Sequence, residues 1–279
     1  MNCRPLPGSI VLAVLLCIAS ATTQAHDEAK YPDWTGRWLR TSAGNFDPTK
    51  RPGLPQRPPL TAEYQAVFEA SVADQAAGGQ GNNPMAGCNP PAMPRMMIVY
   101  GLGMEALITP STVYLVFGEP MGQLRRVYTD GRNWPATIKP TFSGYSIGRW
   151  EDTDRDGRFD TLAVETRSIR GPRSYDSSGM PFHKDGRTIV KERIYLDKAN
   201  RDLMLNEITV VDNALTGPWS VKREYVRKPP EWLETICGED EHQVRIGKED
   251  YFVSGDRLLM PTRKDQPPPD LRKFDQIPN

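Results

Sequence analysis

From residue 97 onward, apolar and polar residues alternate in short runs. "EALITP", "TVYLVFG", "LRRVYTD", "GYSIGRWE", "DTLAVETRS", "TIVKERIYL", "LMLNEITVV" and "WSVKREYV" follow one another, with Gly, Pro, Asn or Asp between them. A period of two marks strands with one buried face, and the breakers mark the turns. Eight such strands without a helical pattern between them predict an antiparallel meander. A closed barrel removes both sheet edges and is preferred here to a two-sheet sandwich. A further strand is expected earlier, in "WTGRWLRT". Helical spacing occurs in residues 59–77. Thr61 is placed to cap that helix, Glu63 suits its positive end, and Gly78 and Gly79 stop it. Tyr64, Val67, Phe68, Ser71 and Val72 share one face of it. The expected fold is all-β: an antiparallel barrel with one N-terminal helix near 62–76 and a long irregular N-terminal segment.

Strand parity then sorts side chains into inward and outward sets. In "TIVKERIYL", Val190, Glu192, Ile194 and Leu196 form a set that is apolar except for Glu192. Leu162, Val164 and Thr166 point inward, which leaves Glu165 outside. In "GYSIGRW", an inward Tyr145 and Ile147 bring Arg149 inward with them. A buried carboxylate and a buried guanidinium are costly alone and tolerable as a pair. Such a pair inside a barrel marks either a ligand site or a structural ion pair.

Two polar stretches interrupt the alternation. Asp152, Asp154 and Asp156, with Gly157 and Asp160, follow the spacing of a calcium loop. Its twelfth position is Ala163 rather than a bidentate Glu, and Arg155 and Arg158 add positive charge. Ca2+ at 152–160 and a long polar hairpin turn both remain open. In "YTDGR", Asp130-Gly131 is a hairpin turn signal. Arg132 beyond it can clamp an anionic group or pair with Asp130.

The ends of the chain change the setting. Residues 1–25 carry Arg4, the apolar run "IVLAVLLCIAS" and the small-residue boundary Thr23-Gln24-Ala25. That is the plan of a secretory signal peptide, cleaved after Ala25. The protein is therefore expected to be exported, periplasmic or secreted, without an integral membrane segment. Residues 26–263 then form a single barrel domain and 264–279 a loosely ordered tail. After cleavage only Cys88 and Cys237 remain, and an oxidising compartment favours a disulfide over two thiols. Such a bridge closes a loop of about 150 residues, stabilising by roughly 4–5 kcal/mol in chain-entropy terms. The 26 prolines argue against long helices. The 35 basic and 35 acidic residues balance, so charge does not point to nucleic acid as a partner. No H-E-x-x-H helix, P-loop or dinucleotide fingerprint occurs, which sets aside zinc protease and nucleotide chemistry.

Several runs resemble a large set of exported bacterial proteins of mostly unassigned function. "CNPPAMPRMM", "RVYTDGRNWP", "PTFSGYSIGRWE" and "DTLAVET" are similar to its CxPPGMPRMM, RIYTDGRxHP and SIGRWEGDTLVVDT runs. "MPFHKDGRTIVKERIYL", with His183 and Glu192, is similar to its PHSxxLHVxER segment. The resemblance implies export and a β-rich fold but no established chemistry. This chain departs from it at "EDTDRDGRFD", a longer turn, and at Trp134, where a His is usual. A vaguer likeness to lipocalins rests on Gly36-Arg37-Trp38.

The candidate chemistry is thin but specific. His183 enters the strand that carries Glu192, with Asp185 two residues on, and a His near a carboxylate can shuttle protons near neutral pH. An acid–base enzyme without a cofactor, a lyase, isomerase or hydrolase, would use His183 as shuttle and Glu192 as base or orienter. Arg149 and Tyr145 would hold developing negative charge. Tyr128, Arg132, Trp150 and Asp185 would line the site of a small apolar or aromatic molecule. The second class is a lipocalin-like carrier of a hydrophobic ligand.

Overall fold

The computed structural model describes residues 27–41, 58–98, 103–118, 123–229, 243–253, 258–270 and 272. Nine strands close a barrel in chain order: β1 (Arg37–Arg40), β2 (Met104–Ile108), β3 (Thr112–Phe117), β4 (Gln123–Tyr128), β5 (Tyr145–Glu151), β6 (Thr161–Arg167), β7 (Ile189–Leu196), β8 (Leu203–Val211) and β9 (Trp219–Lys228). Each run singled out by alternation forms one of these strands.

The barrel is mixed, which corrects the antiparallel expectation. β4 and β5 run parallel, through the pairs Val127–Ser146 and Tyr128–Ile147. Asp130-Gly131 therefore does not close a hairpin. Parallel neighbours need a crossover, and residues 129–144, which contain Pro135 and Pro140, supply it. The β1–β2 contact is equally brief, Arg37–Glu105 and Trp38–Met104. From β5 to β9, by contrast, neighbouring strands pair along nearly their full length.

Helix α1 (Ala62–Ala76) begins where Thr61 Oγ1 accepts the N–H of Tyr64. Tyr64, Phe68 and Ser71 are buried, whereas Val67 and Val72 are exposed, so its buried stripe is narrower than expected. The helix covers one barrel end. Lys184 N–H donates to Tyr64 Oη, and Ser71 Oγ and Gln75 Nε2 donate to the carbonyls of Ser178 and Ser177. That end, the mouth, also carries the β6–β7 excursion 168–188 and the β8–β9 turn 212–218. Aromatic side chains close the opposite end. Trp38 is fully buried, donates from Nε1 to Trp34 O at 3.0 Å and lies under the Arg227 guanidinium, while Trp150 packs on Trp34 and Tyr31.

The interior is filled by the chain itself. Residues 91–98 are buried without a break, including the single-turn helix α2 (Arg95–Ile98). Met93, Met96 and Met97 belong to one apolar cluster with Leu115, Ile194, Met204 and Tyr225 of the wall. The open interior expected for a ligand is thus occupied by "AMPRMMI". A separate three-stranded sheet, β10 (Gln243–Ile246), β11 (Glu249–Val253) and β12 (Leu259–Pro261), follows the barrel and was not among the expected strands. Gln80 N–H donates to Asp250 Oδ2 of that sheet. No helix among the described residues is long and apolar enough to cross a membrane.

Candidate functional site

The inward set of β7 is as parity predicts, with Glu192 2% exposed. Its partner is Arg125 on β4, not Arg149. Arg125 Nη1 donates to Glu192 Oε1 at 3.1 Å and Nη2 donates to Oε2. Nη2 also reaches Thr166 Oγ1 at 3.0 Å, Ser146 and Thr166 share a hydrogen bond, and Asn206 Nδ2 donates to Glu192 Oε1 at 2.9 Å. Both charged side chains have no exposed surface.

Arg149 faces outward, 81% exposed, and pairs with Glu151, which also accepts from Arg193. The reason is volume. On β5 the inward residues are Ser146 and Gly148, and a Cβ at Gly148 would stand 2.6 Å from Val127 Cγ1. The crowded interior leaves room only for small residues there, so Tyr145, Ile147 and Arg149 take the outer face. Tyr145 packs there on Tyr128 and Trp134, and the Arg132 guanidinium lies 3.8 Å over the Tyr128 ring. Arg132 pairs with Asp130, whose carboxyl it holds down at about 2. Trp150 belongs to the aromatic floor. The expected quartet His183, Glu192, Arg149 and Tyr145 is therefore divided among mouth, interior and outer wall.

At the mouth the structure gathers groups that strand parity did not show. Arg173 donates to Ile169 O, His183 O and Thr188 Oγ1, and Thr188 Oγ1 donates to Asp212 Oδ2. Asp212 Oδ1 accepts the N–H groups of His183 and Ala214, each at 2.9 Å. This buried frame fixes the backbone at His183. The His183 side chain is 31% exposed, with the Tyr64 ring 5.2 Å away. Its Nδ1 stands 3.1 Å from the Asp185 N–H and 2.9 Å from Asp185 Oδ2. Burial raises the Asp185 carboxyl, but hydrogen bonds from Arg187 N–H, Asn213 and His183 outweigh it and hold the group below its ordinary value. Below the frame, Tyr175 stacks on Phe182, and burial pushes its phenol well up.

In the 152–160 turn, Asp152, Asp154 and Asp156 converge. Asp152 accepts the N–H groups of Asp156 and Gly157, and Lys198 Nζ sits 2.8 Å from Asp154 Oδ2. Asp160 turns away to Thr153 and Thr161. Gly157, at φ +89°, makes the sharp bend. These bonds hold a polar turn, and Lys198 already neutralises part of its charge. A groove of about 880 Å³ runs beside this turn along the outer wall, lined by Arg158, Phe159, Arg193, Tyr195 and Lys198. Cys237 and residues 1–25 lie outside the described residues, and so does the remainder of the tail beyond Arg272.

No family model, curated protein or solved structure matches this chain. The resemblance to exported bacterial proteins therefore stays with the runs that carry it. The closed barrel agrees with the lipocalin-like architecture only as far as closure.

Proposed function

We propose that the protein is an exported, cofactor-free acid–base enzyme that acts at the barrel mouth on a small apolar or aromatic compound. One observation carries this reading: His183 Nδ1 has the Asp185 carboxylate within hydrogen-bond reach. In neutral imidazole Nδ1–H donates to the Asp185 carboxylate, which leaves Nε2 unprotonated to take a proton from substrate, and imidazolium keeps the same bond. The ring gains or releases a proton without moving, which suits a general acid–base. Its Nε2 has no hydrogen-bond partner among the described residues and is left for substrate. Asp185 acts as a positioning residue, itself held by Asn213. Glu192 drops out of the chemistry because both of its oxygens are bonded inside the wall.

The test is a panel of p-nitrophenyl esters, with enolisable aryl ketones followed by proton exchange in D2O. His183→Ala should lower kcat about 100-fold or more with KM nearly unchanged. Asp185→Asn should lower it less and shift the pH profile. Binding without any turnover would leave the second reading, a carrier, which the methionine-rich interior favours because methionine adapts to varied apolar shapes. Export and a Cys88–Cys237 disulfide belong to both readings. The intact mass of exported protein should show loss of residues 1–25 and no alkylatable thiol.

A further inference from the structure

The inner face of β9 carries a buried cation that has no counter-ion among the described residues. Arg223 is 3% exposed, and its Nε donates to Ile98 O at 2.8 Å and its Nη1 to Lys222 O at 3.2 Å. Among the described residues it makes no ion pair. The inward arginine of β4, Arg125, has a carboxylate on its guanidinium. Burying a charge that is met only by neutral carbonyls is costly, because a carbonyl supplies a fraction of the charge that a carboxylate would. Burial pushes the Arg223 guanidinium down to about 10, and the Arg40 charge acts in the same direction.

Tyr225 is the next inward residue on β9. Its buried hydroxyl donates to Met97 O, and burial together with the Glu192 charge raises its pKa, so it stays a donor. Two neighbouring inward donors, one charged, thus meet two consecutive main-chain carbonyls at the end of α2. The segment that supplies them is joined to the barrel by side chains and single hydrogen bonds rather than by a strand ladder. Met93 N–H reaches Phe142 O, and Arg95 reaches Asn83 and Ser174. Met93, Met96 and Met97 belong to the same buried apolar cluster as Met104 and Met204.

We propose that the barrel interior is a binding site for a fatty-acid-like monocarboxylate. Its two oxygens replace the Met97 and Ile98 carbonyls on Tyr225 and Arg223, and its alkyl body replaces the methionines of residues 91–98 as that segment withdraws. In the present state the segment is the stand-in for the ligand, with carbonyls where the carboxylate belongs and thioethers where the chain belongs. A charged acceptor on Arg223 makes the stronger hydrogen bond. This inference deepens the carrier reading and does not depend on the chemistry at His183.

The experiment is calorimetric titration of the full mature chain with decanoate and with 1-decanol, which has the same alkyl chain and no charge. Decanoate should bind one to one and 1-decanol at least tenfold more weakly. Arg223→Met should lower decanoate affinity at least tenfold and leave 1-decanol unchanged, with a melting curve showing the variant folded. Tyr225→Phe is the milder second variant and should lower decanoate affinity several-fold. In the decanoate complex the amides of Met96, Met97 and Ile98 should exchange faster with solvent. Equal affinity for the two probes overturns the carboxylate site and leaves a carrier of neutral apolar ligands. Binding of neither overturns both. Loss of decanoate binding in His183→Ala would put the carboxylate at the mouth and overturn the inference.

Discussion

Two arginine–glutamate contacts sit on the same barrel wall, Arg125–Glu192 on its inside and Arg149–Glu151 on its outside. In the first, both side chains are sealed from solvent, and the carboxylate also takes a hydrogen bond from Asn206. In the second, Arg149 is 81% exposed and Glu151 has Arg193 as an alternative partner. The chemical groups are the same and their consequences are opposite. Outside, water and mobile ions replace a lost partner at little cost. Inside, nothing does.

Substitution should expose that asymmetry. Arg125→Met is expected to destabilise the fold by roughly 3–5 kcal/mol, since it strands the Glu192 charge in the interior. The double variant Arg125→Met/Glu192→Leu should recover much of the loss, because no buried charge remains. A double variant no more stable than the single one would mean that the pair contributes more than charge neutralisation. Arg149→Ala should cost at most about 1 kcal/mol, and less as salt is added. Denaturant unfolding of all three at two salt concentrations reads these differences.

The smallest effect concerns a half-sheltered carboxylate. Burial raises Asp160, but hydrogen bonds from Thr153 and Thr161 outweigh it and its folded-state pKa is lowered. A lowered carboxylate stabilises the fold fully above the unfolded value of about 3.9, and the contribution disappears as pH falls towards the folded value. Asp160→Asn should therefore lower the melting temperature by a few degrees at pH 7 and by progressively less below about pH 4. Repeating the pH 7 scans with excess EDTA checks calcium at 152–160, and an unchanged wild-type midpoint is expected for a turn already held by Lys198.

The strands were legible because alternation needs only local side-chain periodicity, and all nine runs became barrel strands. Inside and outside were legible on β6 and β7, where one parity is plainly greasier. They were not legible on β5, where interior volume selected Ser146 and Gly148 over Tyr145 and Ile147. The true partner of Glu192 had left a trace. Successive arginines in "LRRVY" place one guanidinium on each face of a strand, so one of them had to face inward. Direction and filling were harder to see. Nothing local in "TDGRNWP" separates a hairpin from a crossover, and "AMPRMM" lacks any period that would assign it to the middle of a barrel. His183 and Asp185 were visible as neighbours in sequence, but the frame of Arg173, Thr188 and Asp212 is assembled only by the fold.

The brevity of two wall contacts changes what the interior ion pair does. β2, β3 and β4 join the remaining strands through two residue pairs on one flank and two on the other. They form a panel hung on narrow hinges, and Arg125, carried by that panel, is a clasp that reaches past Ser146 and Thr166 to Glu192, three strands along the wall. Cutting that clasp is therefore expected to do more than strand a charge: it should also loosen the hold of β2, β3 and β4 on the rest of the wall.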